Sequence, residues 1–317
     1  MITIILWIIM LIVSIIILVK SADFFTTAAE KIGLFFKMSP FIIGVTIVSI
    51  GTSLPELASS ILAVIHKSSE IVVGNVVGSN IANILLVFGA SVIITKLMKN
   101  SFEEINFNMP LLIASTILIL IMSLDGTFSF IEGLVCIFGY IIYLGHIFYK
   151  KEKVQIELDE KVRTRCDKKK LCKNILVLLI TTVAIYFSAK YTVVSIIKLS
   201  EILSFGTEVI AATVVALGTS LPELSVTIIA TKKGKSAMAI GNVLGSNIFN
   251  SFIVIGISAL ISNLKVTTTM MTFGVPFMFL TTLLFFFIMR DKKVSRWKGW
   301  MFILLYLFFI VKLFGLL

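Results

Sequence analysis

Long apolar runs, separated by short polar or glycine-containing connectors, take up most of the chain. A hydrocarbon layer about 30 Å thick is crossed by roughly 20 residues of apolar helix, so the runs are counted directly as spans. They fall near residues 2–22, 40–65, 71–95, 108–124, 131–149, 174–197, 208–230, 237–261, 267–289 and 299–316. The pattern predicts an all-α polytopic membrane protein of ten transmembrane helices. No basic residue precedes the first run and no small-residue cleavage site follows it, so it is expected to be a retained span rather than a signal peptide.

The longest polar connector, residues 150–173, divides the chain into 1–149 and 174–317, five spans each. The two parts are copies. An offset of 167 residues carries GTSLPEL at 51–57 onto GTSLPEL at 218–224, and GNVVGSNIAN at 74–83 onto GNVLGSNIFN at 241–250. An odd number of spans per copy turns the second copy over in the bilayer, so the chain is expected to be two inverted five-helix repeats. Lys and Arg collect on the cytoplasmic side of membrane proteins. With both termini outside, the inner connectors hold Lys31, Lys37, Lys96, Lys99, the run from Lys150 to Lys173, Lys232, Lys233, Lys235 and Arg290 to Lys298. Lys67, Lys198, Lys265 and Lys312 remain outside.

Composition closes off other classes. Hydrophobic residues are 58% of the 317 and charged ones 14%, far from a water-soluble enzyme. The formal charge of +11 does not indicate nucleic acid, because the basic residues punctuate apolar runs instead of covering a polar face. Cys136, Cys166 and Cys172 form no disulfide framework or zinc pattern, and His66 and His146 sit at the ends of runs, where an interfacial role is expected. Lys20 and Asp23, three residues apart, are expected to pair with each other.

Glu56 and Glu223 carry the chemistry. Each lies near the middle of an apolar run without a basic neighbour, where an intramembrane charge costs about 2.5–3.5 kcal/mol even on insertion scales. Thr52 and Ser53 precede Glu56 by four and three residues, and Thr219 and Ser220 repeat the arrangement before Glu223. Pro55 and Pro222 lack an N–H, so the carbonyls of Gly51 and Gly218 lose their helical partners, and each motif is expected to be a broken helix whose freed oxygens face a cavity or an ion. In the adjoining spans Asn75, Ser79 and Asn83 recur every four residues, as do Asn242, Ser246 and Asn250. Gly74 and Gly78, with Gly241 and Gly245, suit close helix packing, whereas Ser79, Asn83, Ser246 and Asn250 suit a hard cation. Asn80 and Asn247, like Asn75 and Asn242, suit capping or bridging of helices. Two copies facing each other across the midplane bring Glu56 and Glu223 together in an all-oxygen site of formal charge −2, which one Ca2+, several Na+ or two protons satisfy in turn.

These paired motifs resemble the alpha-repeats of the Ca2+/cation antiporter superfamily, in its Na+/Ca2+ exchanger branch. The resemblance covers the whole ten-span plan. It implies exchange of three Na+ for one Ca2+ by alternating access, with spans one and six sliding against the other eight. It implies Glu56 and Glu223 as shared ligands, with Thr52, Ser53, Ser79 and Asn83 from the first repeat, Thr219, Ser220 and Ser246 from the second, and the backbone carbonyls of Ser49 and Ala216. Asn250 stands where some exchangers carry Asp, which keeps the site at two formal negative charges and argues against K+ co-transport. The short connector lacks the regulatory domains that animal exchangers insert there, so a prokaryotic plasma membrane is expected, with no protein partner and no cofactor beyond the transported Ca2+ and Na+. An H+/Ca2+ antiporter shares the fold and the acids, although the hydroxyl-rich motif favours Na+. A cation channel would not need the site twice in opposite orientations. No GxSxG or HExxH motif points to an enzyme.

Overall fold

The computed structural model describes residues 2–95, 97–99, 102–154, 168–202, 218, 220–291 and 293–313. The protein is an all-helical membrane protein. Its main helices are α1 (Ile2–Phe35), α2 (Pro40–Ile65), α3 (Glu70–Thr95), α4 (Phe102–Met122), α5 (Phe130–Val154), α6 (Lys168–Ile202), α7 (Leu221–Lys232), α8 (Ser236–Ile261), α9 (Met270–Met289) and α10 (Arg296–Leu313). Among the described residues, eight of these are long and apolar enough to cross a membrane. Of the other two, α10 carries Arg296, Lys298 and Lys312 along its length, and residues 208–217 of the seventh apolar run lie outside the described residues.

α1 and α6 are 34 and 35 residues long, hence about 50 Å at 1.5 Å per residue, well beyond the hydrocarbon thickness. They pack along each other in antiparallel fashion: Thr192 donates to Ser14 at 2.9 Å at one end, and Phe25 and Thr182 meet beside Gly51 at the other. Only 17% of the apolar stretch of either helix is buried, against 72% for α3 and 78% for α8, so this pair lies on the outside of the bundle. Ile5, Ile9 and Ile12 on α1 and Leu176, Leu179 and Val183 on α6 are exposed as lipid-facing side chains are.

α3 and α8 form the middle, wrapped by α2, α4, α5, α9 and α10 around one large apolar cluster that includes Val77, Leu85, Phe88, Tyr143, Leu244, Ile248, Phe285 and Phe302. A smaller cluster, with Ala22, Phe25, Val48, Ile185, Val226 and Ala230, joins α1 and α6 to the rest. Two short antiparallel ladders close the ends: β1 (Leu97–Lys99) on β4 (Lys293–Ser295), and β2 (Thr127–Phe128) on β3 (Leu264–Lys265). The pair Leu97↔Ser295 maps onto Leu264↔Phe128 by the 167-residue offset of the sequence repeat.

Asp23 does not pair with Lys20. A surface pair three apart on a helix gains only a few tenths of a kcal/mol. Lys233, at the end of α7, instead reaches Asp23 Oδ1 at 2.8 Å, the Asp23 carbonyl at 3.0 Å and Thr27 Oγ1 at 2.8 Å, while Lys20 is exposed.

The glycine pair of α8 performs the expected close packing. A Cβ on Gly241 would stand 2.5 Å from the Phe41 carbonyl oxygen, and one on Gly245 would stand 2.5 Å from that of Val45. At Gly74 and Gly78 nothing lies within 4 Å. The offset that carries Gly74 to Gly241 carries Phe41 and Val45 to positions 208 and 212, which are outside the described residues.

Candidate cation site

The motif of α2 departs from the expected broken helix. Residues Ser49–Ile65 are helical through Pro55, and the ladder widens one turn earlier, in a π-helical segment at Gly44–Val48. Gly51 serves packing there, since a Cβ would lie 2.7 Å from Phe25 Cζ. In the second copy α7 begins at Leu221, with Ser220 as a non-helical cap (φ −91°, ψ 2°) and Pro222 in the first turn, where a missing N–H costs nothing. The repeat-equivalent Ser53 and Ser220 therefore take two local conformations, one inside a helix and one capping it.

α3 and α8 supply the facing wall. Each α-helix gives way to a π-helical segment, at Asn83–Phe88 in α3 and at Asn250–Val254 in α8. These wide turns start at the repeat-equivalent asparagines named as cation candidates. Sequence reasoning missed them, because a π segment carries no composition signal, although such segments recur at functional sites.

Of the twelve candidate residues, Ser49, Thr52, Ser53, Glu56, Ser79, Asn83, Ser220, Glu223, Ser246 and Asn250 are all buried, none more than 2% exposed. Thr219 and Ala216 lie outside the described residues. The contacts join the halves. Ser53 Oγ donates to Glu223 Oε1 at 3.1 Å. Thr52 Oγ1 stands 3.2 Å from Asn242 Oδ1, 3.4 Å from Ser246 Oγ and 3.3 Å from the Ser49 carbonyl, the carbonyl expected at the site. Among the described residues neither oxygen of Glu56 has a hydrogen-bond partner. Glu223 Oε2, Asn83 Oδ1, Ser220 Oγ and both polar atoms of Asn250 are likewise buried without one. Buried polar atoms are ordinarily satisfied, so an unpartnered set of this kind marks a place for a ligand. Among the described residues no cluster of three or more His, Cys, Asp or Glu forms, so the charge here is that of two carboxylates amid neutral oxygens.

Behind these atoms runs a scaffold of amides. Asn80 Nδ2 donates to the Asn247 carbonyl, and Asn247 Nδ2 to the Asn80 carbonyl, each at 3.3 Å, so two repeat-equivalent residues clamp each other. Asn83 Nδ2 donates to Asn247 Oδ1 at 3.1 Å, which leaves Asn83 Oδ1 without a partner. Asn75 holds Ser60 at 3.2 Å, and its equivalent Asn242 holds Thr227 at 2.8 Å, tying each wall helix to its motif helix. Asn75, Asn80, Asn242 and Asn247 thus bridge helices. The anchors Ser60 and Thr227 were missed, since one hydroxyl in an apolar run gives no signal until its partner is known.

The described arrangement suits a partly dehydrated hard cation: carboxylate, hydroxyl and amide oxygens, with no sulfur, imidazole or basic group among them. A family model described as sodium/calcium exchanger protein matches residues 6–149 and 173–315. The sodium/calcium exchanger MaX1 of Methanosarcina acetivorans is 34% identical over an alignment 341 positions long, covering 96% of this chain and 97% of that protein. The inner membrane protein YrbG of Escherichia coli is 32% identical over 259 residues, covering 80% of this chain and 79% of its own. The solved structure of the sodium-calcium exchanger NCX_Mj soaked with zero Na+ and Ca2+ superposes with a TM-score of 0.82 at 30% identity, over 98% of this chain and 99% of that one.

Proposed function

The chain belongs to the sodium/calcium exchanger family, and from that premise we propose that it is a secondary active antiporter, exchanging Na+ for Ca2+ across a prokaryotic plasma membrane by alternating access. The observation that carries this reading is the set of unpartnered buried oxygens around Glu56 and Glu223. A site of charge −2 that is neutral with Ca2+ and refillable by Na+ holds one cation type at a time, which is the minimum an antiporter needs. The ligands are Glu56, Glu223, Thr52, Ser53, Ser79, Asn83, Thr219, Ser220, Ser246 and Asn250, with the carbonyls of Ser49 and Ala216. The stoichiometry is three Na+ per Ca2+, so each cycle moves one net charge. No covalent step and no cofactor enters.

The architecture belonging to this reading is ten spans in two inverted repeats, 1–149 and 174–317, joined by a cytoplasmic connector at 150–173, with both termini outside. The paired β ladders, the Asn80–Asn247 clamp and the Asn75–Ser60 and Asn242–Thr227 bonds, all related by the same offset, support it. The α1–α6 pair, least buried of the spans, is the part that slides.

The test is purified protein in Na+-loaded vesicles diluted into Na+-free buffer with labelled Ca2+. Uptake that disappears when choline replaces internal Na+ is the expected result. Uptake driven by a pH gradient and not by Na+ would replace the reading with H+/Ca2+ exchange, and flux without a counter-ion requirement would make the protein a channel.

A further inference from the structure

The two ends of the α1–α6 pair differ in packing and in charge. Near the end where Thr192 meets Ser14, a cavity of about 260 Å³ is lined by Pro55 and Ser59 of α2, by Tyr186, Lys190 and Val193 among others of α6, and by Gly218 and Pro222. Its floor adjoins both glutamates in sequence. The offset of the repeat exchanges Pro55 with Pro222 and carries the other walls to Val19, Ala22, Asp23, Thr26, Thr27, Gly51 and Val226. There the side chains facing the body are packed: Ala22, Thr26 and Val226 are 0% exposed, and Phe25 lies against Gly51.

Charge follows the same division. At the packed end two lysines from the α7–α8 turn grip α1. Lys233 holds Asp23 and Thr27, and Lys235 pairs with Glu30. By the repeat, Asp23 corresponds to Lys190 and Lys233 to His66, so the cavity end has a basic residue on each side and no equivalent attraction. Lys190 lines the cavity and makes no hydrogen bond or ion pair among the described residues. By the antiparallel packing of α1 and α6, Lys190 stands level with about residue 16 of α1, roughly 10 Å along the axis from Asp23.

We propose that Asp23–Lys233 and Glu30–Lys235 form a one-sided latch, which holds α1 against the α7–α8 turn and biases the transporter toward the state open at the Lys190 end. The inference rests on the alternating-access reading. Sliding of the α1–α6 pair separates Asp23 from Lys233, because one is on the moving pair and the other on the body. The repeat-equivalent pair gives no matching attraction at the other end, since Lys190 and His66 are both basic residues. The two states therefore differ by the latch itself. Exchange still proceeds, because partly exposed ion pairs such as these, with side chains 27% and 47% exposed for Lys233 and Asp23, are weak enough to break in each cycle.

Val226, at the position equivalent to the cavity residue Ser59 and 0% exposed here, reports the minor state. With Cys136, Cys166 and Cys172 replaced by alanine, V226C is treated with a membrane-impermeant thiol reagent from the Asp23 side. Its labelling rate scales with the population open on that side. D23N and K233Q are each expected to raise the rate about threefold to tenfold, and the charge reversal D23K/K233D to return it to within about twofold of the parent. S59C, labelled from the other side, shows that each variant remains folded. Unchanged V226C labelling in D23N and K233Q, in a parent that exchanges Na+ for Ca2+, overturns the latch alone. Absence of exchange in the parent overturns the function on which it rests.

Discussion

At the scale of single residues, the site is defined by what its atoms lack. Among the described residues Glu56 has two buried oxygens and no hydrogen-bond donor, and Glu223 has one oxygen on Ser53 and one without a partner. Replacing either acid by its isosteric amide leaves the packing intact and halves the site's charge. Glu56→Gln and Glu223→Gln are each expected to weaken Ca2+ binding by about 2–3 kcal/mol, roughly 30- to 160-fold, and to abolish Na+-driven uptake. Elution as a folded monodisperse protein should be retained, since burying an amide costs less than burying a charge. Full uptake by either variant would refute the shared site. Asn247 is the complementary case, a residue outside the proposed ligand set that orients Asn83, a member of it. Asn247→Ala strands the buried Asn83 amide, at about 1–3 kcal/mol, and removes one bond from the Asn80 carbonyl, which keeps the Asn83 N–H. A lowered unfolding temperature in detergent together with weaker Ca2+ binding is expected. Asn75→Ala, which loses one part-buried bond to Ser60, should cost about 1 kcal/mol.

At the scale of elements, the glycines distinguish packing from flexibility. Gly241→Ala drives a methyl to 2.5 Å from the rigid backbone oxygen of Phe41, so α8 must move off α2, at about 1–3 kcal/mol. Gly145→Ala on α5 meets nothing within 4 Å and should stabilise by about 0.5–1 kcal/mol through helix propensity. Thermal unfolding of the two variants should shift in opposite directions, and equal shifts would refute the assignment. Much of this level was legible beforehand. Apolar runs near 40–65, 71–95 and 237–261 became α2, α3 and α8 because span length is set by the bilayer. The burial of Glu56, Glu223 and their hydroxyl neighbours followed from their positions within those runs. What stayed hidden depends on neighbours distant in sequence. Proline read alone indicated a break at Gly51, but packing of Phe25 against that glycine accompanies a helix that continues, and the widening occurs at Gly44–Val48. Asp23 was assigned to Lys20 by spacing, and Lys233, 210 residues away, takes it because the fold brings α7 to α1.

At the scale of the whole molecule, charge counting turns a static site into a statement about transport. The protein carries +11 formal charge, yet the buried site holds two glutamates without a basic partner among the described residues. On the proposed exchange of three Na+ for one Ca2+, the site would cross as a neutral unit with Ca2+ and with one positive charge with Na+, so the Na+ limb would carry the electrical work. In Na+-loaded vesicles taking up Ca2+, each cycle then exports one net positive charge. An inside-positive potential should raise Ca2+ accumulation and an inside-negative one should lower it. One charge moved through 100 mV is worth about 2.3 kcal/mol, about a 50-fold change in the Ca2+ ratio at equilibrium. Clamping the potential with valinomycin and K+ gradients at a fixed Na+ gradient measures this slope. A slope of zero would mean two Na+ per Ca2+, with the two carboxylates fully neutralised on both limbs, and would require that Asn83 and Asn250 take no part in holding a third Na+.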